Sequence, residues 1–254
     1  MMRAIILFIS AIMVLSCSTV HTNLSANDIL PRKAYVFIKI IVNLKRCTGD
    51  VCETGRITAA GSGFIIKTTY KGSFIMTASH VCATDKSILQ SGVEAEDKLK
   101  VETLDGRNYD AVVLTHDPKI DACLMFAEDL VSDIEEVKLS DSEPKEGDKV
   151  YNIASPHTIH FKNIVPIFEG RYIGQRGVNG FYTFDAAPGS SGSMILNEDG
   201  ELIGLLHSVF IKMHSVVVSV RYRDLMHFIK RGLIEHAGKQ MKELHDYNKY
   251  ILER

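Results

Sequence analysis

Ser191 lies in Gly189-Ser190-Ser191-Gly192-Ser193, where glycines bracket a short hydroxyl-rich run. A nucleophilic serine must present its hydroxyl on a turn. It also needs free backbone N–H groups aimed at the charge that develops on the attacked oxygen. Glycine two residues before the serine lets the backbone take that turn without a Cβ clash. On this reading the N–H groups of Gly189 and Ser191 form the oxyanion hole, and a plain Gly/Ser loop is the alternative. The hydrolase elbow G-x-S-x-G does not fit, because position 193 is serine. A serine at its resting pKa is inert and needs a base. Thr77-Ala78-Ser79-His80-Val81 offers one just after a strand candidate, although the chain holds 10 histidines and most histidines are structural. The histidine in turn needs an acid to hold its tautomer and stabilise the imidazolium. Asp121 opens the otherwise apolar run Ala122-Cys123-Leu124-Met125, where a carboxylate needs a partner. Asp117 competes for the role but falls in an Asp-Pro turn. A histidine base works only when neutral, so activity is expected to fall on acidification.

These three residues need a rigid frame, and the chain around them reads as strands. Residues 35–44 are β-branched and apolar. Further strand candidates are 63–67, 73–77, 99–104, 109–115 and 122–127, then 150–154, 164–173, 180–184, 193–196, 201–206 and 215–220. Asp105-Gly106 and Asn197-Glu198-Asp199-Gly200 are hairpin signals. Many short strands with frequent turns predict an all-β barrel or sandwich. Residues 140–148 (SDSEPKEGD) read as a linker between two halves. Only the end looks helical: Leu225, Phe228, Ile229 and Leu233 recur at helical spacing, with Gly232 and Gly238 as candidate interruptions. The basic residues there read as a solvated helix face.

The composition agrees with a globular body. The chain has 254 residues, 46% hydrophobic and 24% charged, with a formal net charge of −2. That charge argues against a nucleic-acid partner, which would need a basic excess. Residues 1–16 read as an export signal: Arg3 is followed by an apolar stretch too short to span a bilayer comfortably. Val14-Leu15-Ser16-Cys17 resembles a bacterial lipobox, with Leu15 bulkier than the pattern prefers, which makes Cys17 the lipidation candidate. Ordinary secretion and an uncleaved anchor are the alternatives. The expected location is therefore outside the cytoplasm, as a lipid-anchored lipoprotein facing the periplasm or the cell exterior. Membrane contact is expected only through that lipid. Residues 17–32 then form a tether.

Together these stretches resemble the chymotrypsin-fold serine peptidases, closest in motif style to the bacterial HtrA-like and glutamyl-endopeptidase-like members. The match is collinear over roughly residues 57–210. Gly61-Ser62-Gly63-Phe64-Ile65-Ile66, Thr77 to Val81, Asp117 to Leu124, Leu139 to Ser142 with Gly147-Asp148, and Asp185 to Ser193 each resemble a family motif in family order. The resemblance implies an all-β fold of two six-stranded antiparallel β-barrels, a first barrel over 33–139 and a second over 149–221, with a C-terminal helical segment over 222–254. It implies Ser191 as nucleophile, His80 as general base then acid, and Asp121 as the orienting acid, acting on a protein or peptide substrate. The alternatives are a catalytically silent protease fold used as a binding module, and an ester hydrolase.

Departures from the family pattern shape the remaining expectations. Ser190 stands where pancreatic-type members carry an aspartate that pairs with a new N-terminal ammonium, so no such activation switch is expected. Asp185 lies where a trypsin-like member holds its basic-residue selector, yet Asp185-Ala186-Ala187 also resembles an HtrA-like strand in which it is structural. His207 resembles the glutamate-reading histidine of glutamyl endopeptidases, one position late. These two are the substrate-pocket candidates. No PDZ module is expected after the protease. Cys47 and Cys52 flank a four-residue turn and are candidates for a hairpin disulfide. Cys82 and Cys123 sit two residues beyond His80 and Asp121, so triad contact would bring them together; buried free thiols are the alternative. The spacings match no metal-ligand pattern, and no metal or cofactor is expected.

Overall fold

The computed structural model describes residues 29–83, 93–210 and 213–252. The signal segment, Cys17 and most of the tether lie outside the described residues. Twelve strands follow in order: β1 (Tyr35–Thr48), β2 (Val51–Thr68), β3 (Gly72–Thr77), β4 (Val93–Thr103), β5 (Asn108–Asp117), β6 (Ala122–Glu128), β7 (Lys149–Ile153), β8 (Ile167–Arg176), β9 (Asn179–Thr183), β10 (Met194–Leu196), β11 (Leu202–Phe210) and β12 (Met213–Val220). The helices are α1 (Ser79–Cys82) and α2 (Tyr222–Leu252). The strands close into two antiparallel barrels, β1-β2-β3-β6-β5-β4 and β10-β11-β12-β9-β8-β7. This is the two-barrel architecture with a C-terminal helix that the sequence motifs predict.

Closure pairs each strand on both sides along part of its length and lets it bury one face. Tyr35, Ile38, Phe64, Phe74, Ile75, Met76, Leu124 and Met125 are fully enclosed in the first barrel. Tyr182, Ile195, Ile203 and Val217 fill the second. The barrels also share a core, since Ile153, Met194, Leu202 and Leu205 pack with first-barrel residues. The segment between them is pinned to both sides. The Val137 N–H donates to the Ile65 carbonyl (2.9 Å) and the Leu202 N–H to the Lys138 carbonyl (2.7 Å).

Several strands are longer than the sequence pattern predicts, β2 and β4 among them. The first half of β2 is exposed on both faces, so it carries no alternation to read. It is a strand because β1 pairs with it residue by residue out to Thr48↔Val51. Similarly, β4 begins at Val93 among exposed acidic and basic residues that pair with β1. The helix α2 runs through Gly232 and Gly238 without a break. Gly232 sits against the Leu124 side chain, and Leu225, Phe228 and Ile229 are buried.

Both candidate disulfides are present, Cys47–Cys52 across the β1–β2 hairpin and Cys82–Cys123 between α1 and β6. They span 5 and 41 residues. In the chain-entropy account a bridge stabilises by restricting the unfolded chain, about 2 kcal/mol for the short loop and about 4 kcal/mol for the long one. Replacing Cys82 and Cys123 by alanine is therefore expected to lower the denaturant midpoint clearly more than replacing Cys47 and Cys52. Equal losses in urea unfolding would contradict this ranking.

Candidate active site

His80 stands on α1, directly after β3. Asp121 stands in the turn that leads into β6. Strand β3 pairs with β6 up to Thr77↔Cys123, so sheet register alone carries the two residues together. The Asp121 backbone has φ of 55°, the left-handed region that non-glycine residues seldom occupy. Such a conformation persists only where its surroundings hold it. Here its carboxylate is held twice by His80. Oδ2 lies 2.7 Å from His80 Nδ1, and Oδ1 accepts the His80 backbone N–H at 3.0 Å. Asp117, the competing acid, instead accepts the Lys119 N–H and closes the turn.

Burial alone would raise the Asp121 carboxyl. The hydrogen bonds from His80, together with the charges available on His80 and His207, outweigh that and hold it below the usual carboxylate range. A carboxylate paired this way orients the imidazole with Nδ1 toward the acid and leaves Nε2 for a reacting proton.

Ser191 arrives from the second barrel, between β9 and β10, and its loop lies against the first barrel. The Ser62 N–H donates to the Ser191 carbonyl at 2.8 Å, and the Gly192 N–H donates to the Leu206 carbonyl at 2.7 Å. Gly192 has φ of +86°, and a Cβ there would collide with Thr77 Oγ1 and the Ser62 carbonyl. Only glycine permits both the turn and the approach. The Ser191 hydroxyl donates to the His207 carbonyl at 3.4 Å.

The Gly189 peptide is oriented from behind. The Pro188 carbonyl accepts the His157 N–H at 2.7 Å, and the Ser62 hydroxyl donates to the Gly189 carbonyl at 2.8 Å. In a trans peptide the C=O and the next N–H point in opposite directions. The Gly189 N–H is thus turned away from His157. His157 and Thr158 have φ of 52° and 61°, so the turn that supplies this hydrogen bond is itself strained. No carbonyl among the described residues takes the Gly189 or Ser191 N–H. Ser190 is buried, and its hydroxyl accepts the Ala187 N–H at 3.3 Å.

The pocket candidates end up in different places. Asp185 is exposed at the start of the serine loop. The His207 imidazole instead faces the pair just described, with Nδ1 3.7 Å from Asp121 Oδ2. Sequence reasoning missed the His157 turn and the Ser62 hydroxyl. Neither carries a local signal, because both act through hydrogen bonds to residues far along the chain. Among the described residues no group of three or more His, Cys, Asp or Glu side chains is placed to hold a metal ion.

Comparison with known proteins gives the family and the fold. A family model described as "Trypsin-like peptidase domain" matches residues 61–205. A probable periplasmic serine endoprotease DegP-like of Buchnera aphidicola is 27% identical over 194 residues, covering 74% of this chain and 39% of that protein. The periplasmic serine endoprotease DegP of Salmonella typhimurium is 31% identical over 165 residues, covering 62% of this chain and 31% of that protein. The chain thus spans about two fifths or less of these relatives. Two solved structures share the fold. A serine endoprotease from Yersinia pestis superposes with a TM-score of 0.58 at 21% identity, covering 84% of this chain and 68% of the other. The HtrA-type protease AlgW, with a decapeptide, gives a TM-score of 0.63 at 17% identity, again over 84% and 68%.

The depressed Asp121 carboxyl has a consequence for stability. In the folded state it binds its proton more weakly than in the unfolded chain. Its contribution is complete above the unfolded carboxylate value of about 3.9 and is lost as pH falls through the lower, folded value. Asp121→Asn is expected to remove this part of the acid destabilisation. Urea unfolding between about pH 5 and pH 2 measures it, and an unchanged pH slope in the variant would count against the pairing.

Proposed function

The chain belongs to the trypsin-like peptidase domain family, and from that premise we propose that it is a serine endopeptidase working through Ser191, His80 and Asp121. The observation that carries the proposal is the doubly hydrogen-bonded His80–Asp121 pair. A histidine held in that way by a carboxylate has one tautomer and one free nitrogen, which is what a general base needs.

In the proposed reaction His80 Nε2 takes the Ser191 proton as Oγ attacks the substrate carbonyl. The oxyanion enters the space faced by the Gly189 and Ser191 N–H groups. His80 then returns the proton to the leaving amine, and an acyl-enzyme remains. Water attacks the ester by the same route, with His80 again as base, and frees Ser191. Asp121 remains ionised and stabilises the imidazolium at each stage.

A peptide has a ready place to bind. Strand β10 pairs with β11 only as far as Leu205, while Ser208, Val209 and Phe210 pair with β12 on one side alone. Their other edge offers backbone groups to an extended chain, which would add as a further strand. That geometry favours peptides over simple esters, because an ester without a peptide backbone leaves this edge unused.

Export is part of the same reading. The relatives named as periplasmic and two disulfides are both consistent with an oxidising compartment. Among the described residues no helix is long and apolar enough to cross a membrane. Attachment is assigned to Cys17. Metabolic labelling with a fatty-acid analogue should mark the chain and be lost in Cys17→Ser; retained label in that variant would remove the lipoprotein assignment.

The catalytic assignment is tested with a fluorophosphonate probe and a peptide library. The probe should label Ser191, and labelling should vanish in His80→Ala. Ser191→Ala should lower peptide turnover by about six orders of magnitude. Folded protein that neither reacts with the probe nor cleaves any library peptide would point to a silent binding module instead.

A further inference from the structure

His207 is not used in the reaction as described, yet it touches both ends of the site. Its backbone carbonyl accepts the Ser191 hydroxyl at 3.4 Å. Its imidazole Nδ1 lies 3.7 Å from Asp121 Oδ2, the same oxygen that faces His80 Nδ1 at 2.7 Å. The residue belongs to the second barrel, whereas Asp121 and His80 belong to the first.

A local irregularity explains how the imidazole gets there. Along β11 the pairing passes from Leu206↔Ser219 to Ser208↔Val218, so His207 has no partner across the ladder. It is the extra residue of a β-bulge, a feature that bends the strand locally and re-aims a side chain. Regular pairing would send alternate residues to opposite faces. With the bulge, His207 points at the acid and its side chain is only 13% exposed. Its Nε2 is buried and forms no full hydrogen bond, with the Ser219 backbone pulling on the ring besides Asp121. Burial of this kind is borne better by a neutral ring than by a charged one.

We propose that His207 is a positioning residue: its imidazole covers Asp121 from the second barrel, shields the Asp121–His80 hydrogen bond from water, and ties the acid to the strand that carries the Ser191 contact. This rests on the peptidase reading for its catalytic meaning but not for its geometry. The charged or titratable groups acting on the ring are Asp121, from the turn before β6, and His80, from α1. Burial pushes the His207 imidazole below its usual range, against the pull of the Asp121 carboxylate and the Ser219 backbone and with the push of His80. Burial thus favours its neutral form. A proton on His207 would place a cation beside Asp121 and compete with His80 for its charge.

The role differs from reading a glutamate side chain in the substrate, and the two are separable. His207→Asn keeps a short amide near the Nδ1 position. His207→Leu keeps bulk but no nitrogen. The first measurement is the low-field proton resonance of the His80 Nδ1–H in the full chain, with thermal unfolding run alongside to confirm that both variants fold. The resonance should persist in the unsubstituted protein and His207→Asn, and should broaden through solvent exchange in His207→Leu. An equally sharp resonance in folded His207→Leu overturns the proposal. If His207→Leu does not fold, a broadened signal in folded His207→Asn overturns it and a sharp one supports it. This readout holds even if the chain cleaves nothing, so loss of the peptidase reading and loss of the positioning role are distinct results. In the active protein, kcat should fall at least tenfold in His207→Leu with KM unchanged and side-chain preference preserved. Unchanged kcat with altered preference would assign the imidazole to the substrate pocket instead.

Discussion

The close seating of the serine loop on the opposite barrel governs this site. Gly192 brings its backbone so near Thr77 and the Ser62 carbonyl that no Cβ fits. The Ser62 N–H then binds the Ser191 carbonyl. His80 follows Thr77 by three residues, so the contact that seats the serine loop lies beside the segment that carries the histidine. Barrels that met through ordinary side chains would stand further apart. Close packing turns two separate sheets into one frame, because a packed interface resists small displacements.

Strained turns adjoin the same contact, and others lie elsewhere at Asp129, Asp133 and Asn163. Asp121, His157 and Thr158 all adopt left-handed backbone conformations without being glycine. Each belongs to a turn whose hydrogen bonds point into the site: Asp121 to His80, and His157 to the Pro188 carbonyl. Unfavourable conformations of this kind cost of order 1–3 kcal/mol each and are held by their surroundings. Here the surroundings are two closed barrels and a disulfide that links α1 to β6, the elements that bear or adjoin His80 and Asp121. The rigid frame holds strained turns, and the strained turns orient the polar groups.

How much was legible before the fold was known depended on the range of the interactions. Strand β3, buried throughout, and strand β6, apolar over most of its length, were readable because composition alone marks such runs. The outer half of β2 was not, since residues exposed on both faces show no period. The serine loop was readable from its glycines, and the assignment of Asp121 over Asp117 followed from the cost of leaving a carboxylate in an apolar run without a partner. His207 was noticed as a pocket candidate one position late, with a packing or hydrogen-bonding role as the alternative, and its direction was not legible because spacing along a regular strand cannot anticipate a bulge. The bulge arises where β11 passes from pairing on two sides to pairing on one.

What the sequence determined by itself was the candidate residues in kind: a serine between glycines, a histidine after a buried strand and an acid before another, their order and the two barrels being what the family resemblance implies. Those properties are local, set by residue type, periodicity and turn chemistry. What only the tertiary structure decided was direction and distance. Asp121 accepts two hydrogen bonds from His80, His157 turns the Pro188–Gly189 peptide, and His207 leans on the acid from the other barrel. These depend on register between strands distant in sequence and on two barrels closing against each other. No window of the chain contains that information, since the groups concerned become neighbours only once the sheets have formed.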